Sequence, residues 1–143
     1  MTRVDFKTPA AYKEYFLMPY RLIEMTQMFC EISSSFGIIP VVTRIREPVE
    51  GESGVHRDGR AIDFRDEMTT LQRDSREFQN VFLYTLSQRK KLIDEINAAF
   101  PRRDGLKTIM HHSFNSGPHH FHVQVSYKDS LVPKPVGFGI IEA

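Results

Sequence analysis

The sequence predicts an α+β fold, a small antiparallel sheet flanked by helices. Three observations carry this. Pro118-His119-His120-Phe121-His122-Val123-Gln124-Val125 alternates apolar with polar side chains, the period of a strand with one buried face. Ala61-Ile62-Asp63-Phe64 alternates in the same way. Leu22, Met25, Phe29 and Ile32 instead recur at steps of three and four residues, the period of a helix that buries one stripe. A chain of 143 residues, 41% of them hydrophobic, suits one domain, residues 1–143, with a core of its own.

Taken in order, Thr8-Pro9 opens a first helix, with Thr8 as cap and Pro9 at the first helical position. A second helix starts near Pro19 and is ended by Ser33-Ser34-Ser35 and Gly37. Its methionines read as core filler. Cys30 reads as a small buried hydrophobe, and a lone cysteine excludes an internal disulfide. Residues 38–46 read as a buried strand, with Val41, Thr43 and Ile45 on one face and Val42, Arg44 and Arg46 on the other. Both arginines can then reach one cleft. A loop with Pro48 and Gly51 follows and carries Glu47, Glu50 and Glu52. After Phe64, residues 65–73 read as a polar excursion. Ser75 or a neighbour caps a long helix to about Ala99, whose buried stripe is Phe78, Phe82, Leu86, Ile93 and Ile96. Residues 106–112 form a strand, Asn115-Ser116-Gly117-Pro118 a turn, and residues 119–127 the return strand. His111 and His112 face this return strand, and His112 is assigned to the cleft. The tail from Ser130 reads as an irregular wrap ending in the docked apolar run Phe138-Gly139-Ile140-Ile141.

Charge and hydropathy exclude some functions. The net charge is +1 and the basic residues are scattered, whereas phosphate binding needs clustered Lys and Arg, so nucleic acid is not an expected partner. The N-terminus has no apolar signal core, and no run is long enough to span a membrane. Synthesis in the cytoplasm, no membrane partner and a monomer are expected.

The chemistry points to a metal. Five of the six histidines lie between His111 and His122, and the sixth, His56, lies close to Asp63. A lone histidine would favour an ordinary surface or core residue. Two motifs with consistent facing favour a shared ion. On the first, Asp63 shares its face with the small Ala61; on the second, His120 and His122 share the face opposite Phe121 and Val123. Zinc takes imidazole nitrogen and carboxylate oxygen, and a catalytic zinc keeps three protein ligands plus an open water position. His56, Asp63 and His122 are the expected zinc ligands.

The pattern His56-x-x-Gly59-x-Ala61-x-Asp63, followed by His120-x-His122, resembles the signature of the zinc D-alanyl-D-alanine peptidase family. That family includes bacterial carboxypeptidases and dipeptidases, phage endolysins that cut peptidoglycan stem peptides, and the related hedgehog signalling domain. The resemblance spans about residues 38–126. It implies zinc on His56, Asp63 and His122. It implies a transition-state role for His120, and an arginine near substrate or oxyanion that Arg46 matches best, with Arg44 in reserve for substrate. Two positions depart from the family pattern. Gly54 stands where many members have serine, and His119 stands where many have an acidic base. By alternation His119 points away from the metal face.

The expected activity is metal-assisted hydrolysis of a peptide bond, with His120 or a loop glutamate as base and Arg46 at the oxyanion. The substrate implied by the resemblance is the peptidoglycan stem peptide, cut at L-Ala-D-Glu or at a bond involving D-Ala. Such an enzyme without a leader fits a phage lysin or a cytoplasmic dipeptidase. Two other classes share the ligands: a zinc-stabilised binding or phage structural module that does no chemistry, and a non-haem iron oxygenase.

Overall fold

The computed structural model describes residues 3–47, 54–71, 78–102, 104–112 and 118–131. The elements are β1 (Asp5–Phe6), α1 (Pro9–Tyr15), α2 (Tyr20–Ser35), β2 (Val41–Arg44), β3 (Ala61–Arg65), β4 (Glu67–Leu71), β5 (Phe78–Phe82), α3 (Leu86–Ala99), β6 (Ile109–His112), β7 (His120–Gln124) and α4 (Tyr127–Ser130). The architecture is α+β. Five strands form one sheet in the order β1-β2-β3-β7-β6, and β4 and β5 form a separate antiparallel pair. The main sheet is mixed rather than wholly antiparallel. β1 runs parallel to β2, because the chain returns to the sheet only after passing through α1 and α2.

The helices form where their local chemistry directs. Thr8 accepts the Ala11 N–H at 3.1 Å, and Pro9 occupies the first turn, where no donor is needed. α2 stops at Phe36, and Gly37 follows at φ +75°. Its stripe of Leu22, Met25, Phe29 and Ile32 is buried. Phe29 stacks on Phe64 of β3 at 4.0 Å and meets Phe121 of β7 edge-on at 5.2 Å, so α2 lies across the centre of the sheet. Cys30 is fully buried on the same helix, and burial pushes its thiol up to about 12. No helix among the described residues is long and apolar enough to cross a membrane.

The third helix differs from the sequence expectation. It begins at Leu86, where Thr85 and Gln88 close a reciprocal capping box. Phe78 and Phe82 belong to β5, Leu86 is exposed, and the buried residues are Leu92 and Ile96, with Ile93 partly covered. The four-residue spacing of Phe78, Phe82 and Leu86 imitated a helix across a strand and a turn. The polar stretch after Arg65 is the partner strand β4. Ser75, the 115–117 turn and the tail from residue 132 lie outside the described residues.

The second departure is in β2, which covers only Val41–Arg44. Val42 opposes Phe64, yet Arg44 opposes Asp63, so Thr43 is an extra residue in a β-bulge. An unbroken strand would put Arg44 opposite Ile62, on the core face. The bulge moves Arg44 to the other face and lets Val42 and Ile45 both enter the core.

Candidate metal centre

The face of the sheet opposite α2 carries the polar side chains. β3 is central, with β2 on one side and β7 on the other, so Asp63 has Arg44 as one cross-strand neighbour and His122 as the other. Ala61 and Gln124 form the next pair along. Ala61 is completely buried. His56 arrives from the turn before β3. That turn closes through Asp58 N–H to Gly54, Gly59 N–H to His56 and Arg60 N–H to Val55. Gly59 adopts φ +73°, so the backbone favours glycine, and an added Cβ would lie 2.9 Å from Arg46 Nη1 and push that side chain aside.

His56, Asp63 and His122 each offer one ligand atom, and these atoms lie within 4.8 Å of one another. The proton positions follow from the neighbours. The Ile45 carbonyl can only accept, so His56 Nδ1–H donates to it at 2.7 Å and Nε2 faces inward. That Nε2 is buried without a hydrogen-bond partner among the described residues, 3.2 Å from Asp63 Oδ1. Gln124 Nε2 donates to the Lys107 carbonyl at 3.1 Å, which turns its Oε1 toward His122. His122 Nε2–H therefore donates to Oε1 at 3.0 Å, leaving Nδ1 2.9 Å from Asp63 Oδ1. Two imidazole lone pairs and one carboxylate oxygen thus converge. In a buried site such acceptors are compatible only with a cation among them, a proton or a metal ion. The donor set fits a metal ion, and the group can hold one.

No family model, curated protein or solved structure matches this chain.

The second oxygen of Asp63 is held separately. Arg44 donates to Oδ2 from Nε at 3.1 Å and Nη2 at 2.9 Å, with both side chains largely buried. Burial opposes ionisation of Asp63, but when the cation at the centre is a proton on the imidazoles, the hydrogen bonds and charges of His122 and His56 outweigh burial and hold the carboxyl well below the usual carboxylate range. His120 also belongs to the centre. Its Nδ1–H donates to the Pro118 carbonyl at 3.1 Å, and its buried Nε2, without a hydrogen-bond partner among the described residues, lies 3.5 Å from Asp63 Oδ2. His112 completes the row, its ring 4.7 Å from that of His120 and 5.6 Å from that of His122.

Arg46 is placed differently from the sequence expectation. It is exposed, its backbone N–H bonds Glu14 and its Nη2 donates to the Arg57 carbonyl at 3.1 Å. The end of β2 is the physical reason: the bulge sets Arg44, the last strand residue, beside Asp63, and the chain then bends at Ile45 and Arg46, which brings Arg46 against the Gly59 turn. Of the three loop glutamates, Glu47 is exposed, while Glu50 and Glu52 lie outside the described residues.

His119 and His111 serve the other face. His119 bonds Glu67 through its backbone N–H at 2.9 Å and through Nδ1 at 3.1 Å. His111 Nε2–H donates at 2.6 Å to Asp66, a fully buried carboxylate that also accepts the Tyr84 N–H and pairs with Arg89. These contacts fasten the β4–β5 hairpin to the sheet. Sequence reasoning missed Gln124 as a partner of His122. The signal was present, since Gln124 shares the face of His120 and His122.

Proposed function

We propose that this chain is a zinc-dependent peptidase that hydrolyses a peptide bond in peptidoglycan stem peptides. The observation that carries it is the convergence of His56 Nε2, Asp63 Oδ1 and His122 Nδ1, three ligand atoms with the chemistry of a catalytic zinc set. Bound zinc would polarise the scissile carbonyl and acidify a water.

The remaining steps belong to the chain's own side chains. Arg44 neutralises Asp63 Oδ2 and leaves Oδ1 for the ion. His120 is the general base and then the acid. The Pro118 carbonyl fixes the proton on Nδ1, so Nε2 presents a lone pair that takes a proton from water and returns it to the leaving amine. His112 lines the cleft beside it. The stem-peptide substrate, with an L-Ala-D-Glu or D-Ala bond, rests on the resemblance of the two motifs alone.

A second reading is a zinc-stabilised module without catalysis. It is favoured by one observation: where the resembled family carries an acidic base, this chain has His119, bonded to Glu67 on the opposite face. The two readings separate in one experiment. Wild type, chelated protein, His122→Ala and His120→Ala are incubated with purified peptidoglycan, and released peptides are identified by mass. The peptidase reading expects release by wild type alone, with His120→Ala still holding zinc. A folded, zinc-loaded wild type that releases nothing would sink the stem-peptide reading and leave a small dipeptide substrate or the second reading.

A further inference from the structure

We infer that Gln124 is a positioning residue that selects Nδ1 of His122 as the metal-binding nitrogen. The inference rests on the metal reading above and adds to it a residue outside the three ligands. An imidazole can ligate through either nitrogen, and the one it uses is set by what holds the other. On β7, Gln124 lies two residues after His122 and on the same face. Its amide is not free to turn. Nε2 donates to the Lys107 carbonyl at 3.1 Å, and a carbonyl cannot offer a proton in return, so the oxygen must face His122. The backbone is pinned as well: Gln124 N–H bonds the Thr108 carbonyl at 2.9 Å, and Gln124 pairs with the buried Ala61 across β3.

The consequence is directional. His122 Nε2 must carry the proton that Gln124 Oε1 accepts at 3.0 Å, and Nδ1 must then present its lone pair to Asp63 Oδ1 at 2.9 Å. Turning the ring over would put Cδ2 in the place where Nδ1 faces Asp63 and leave Oε1 with a carbon-bound hydrogen. His56 is locked in the opposite sense, because Ile45 holds its Nδ1. The two histidines therefore present different nitrogens, one through a backbone carbonyl and one through a side chain. Only the second lock can be removed by substitution.

The test uses the full chain with ¹⁵N-labelled histidine. Zinc affinity is measured by competition with a chromophoric chelator, and the tautomer of each zinc-bound ring is read from its ¹⁵N shifts. Wild type is expected to show His122 metallated at Nδ1 and protonated at Nε2, and His56 the reverse. Gln124→Leu is expected to lose about 10–100-fold in zinc affinity, the usual effect of removing a partner that orients a ligand. Its His122 signal is expected to split between orientations or to move to Nε2 ligation. Gln124→Glu keeps an acceptor for the His122 Nε2–H but loses the bond to the Lys107 carbonyl, and is expected to return the Nδ1 signature and part of the affinity. Gln124→Met, unbranched and without an acceptor, replaces the leucine variant if that folds poorly. Unchanged affinity and an unchanged Nδ1 signature in a folded leucine or methionine variant would overturn the inference while leaving the metal reading standing. A wild type that takes up no zinc would overturn both.

Discussion

At the scale of single residues, Asp63 does two jobs with its two oxygens. Oδ1 faces the imidazoles and Oδ2 holds Arg44. Asp63→Asn keeps the shape and removes the charge that both partners need. It is expected to abolish zinc uptake, measured as bound metal per chain. It also leaves a largely buried guanidinium without its counter-charge, a loss of about 3–5 kcal/mol in unfolding free energy. A variant that still bound one zinc would remove Asp63 from the ligand set. The facing of Asp63, His120 and His122 was legible in the sequence, because strand alternation needs only the order of side chains. The locks on the two ligand rings were less so. One is the Ile45 backbone carbonyl, which no side-chain pattern records, and the other depends on Lys107 reaching Gln124 from another segment.

At the scale of elements, the outcome turned on features that interrupt periodicity. The bulge decides that Arg44 rather than Thr43 stands beside Asp63, and a bulge leaves no mark in an alternation pattern. Likewise the spacing of Phe78, Phe82 and Leu86 fits a helix, while the capping box at Thr85 is the stronger start signal. The turn carrying His56 supplies a direct test. Gly59→Ala forces a side chain into φ +73°, a backbone cost of about 1–2 kcal/mol, and presses on Arg46. Adding Arg46→Ala is expected to recover the crowding part and leave the backbone part, read as two successive shifts in the denaturant midpoint. Full recovery by the second substitution would show that the backbone carries no strain. The hairpin gives a pH test. Backbone and side-chain hydrogen bonds from His119 depress the Glu67 carboxyl below its usual value. A depressed carboxyl contributes stability that is present above its unfolded pKa, about 4.3, and lost as pH falls through the lower folded value. Hydrogen-exchange protection in the β4–β5 pair, taken relative to the intrinsic rate at each pH, should therefore fall below about pH 4 in wild type. In Glu67→Gln protection should already be reduced at neutral pH and change little on acidification.

At the scale of the whole molecule, the sheet separates the packed core from the candidate metal centre. α2 and α3 bury Phe29, Leu92 and Ile96 on one side, while the ligand atoms stand on the other. The alternation of β3 and β7 makes this division legible in the order of residues alone, whereas the β4–β5 hairpin and the parallel β1 leave no such pattern. The division leads to a prediction that joins the two faces. A ligand that binds only the folded state adds about 2.7 kcal/mol at 100 times its Kd. For a chain of this size that corresponds to a rise of about 5–10 °C in Tm. Zinc should produce this rise in wild type and none in His122→Ala. Leu92→Ala opens a cavity under α3 and should lower the starting stability by about 2–5 kcal/mol. Because Leu92 touches none of the ligands, its effect and that of zinc should add, so the zinc-induced rise survives in the weakened protein. A rise that vanished in Leu92→Ala would mean that the helix face helps to set the metal geometry, and the sheet would then couple the two sides rather than part them.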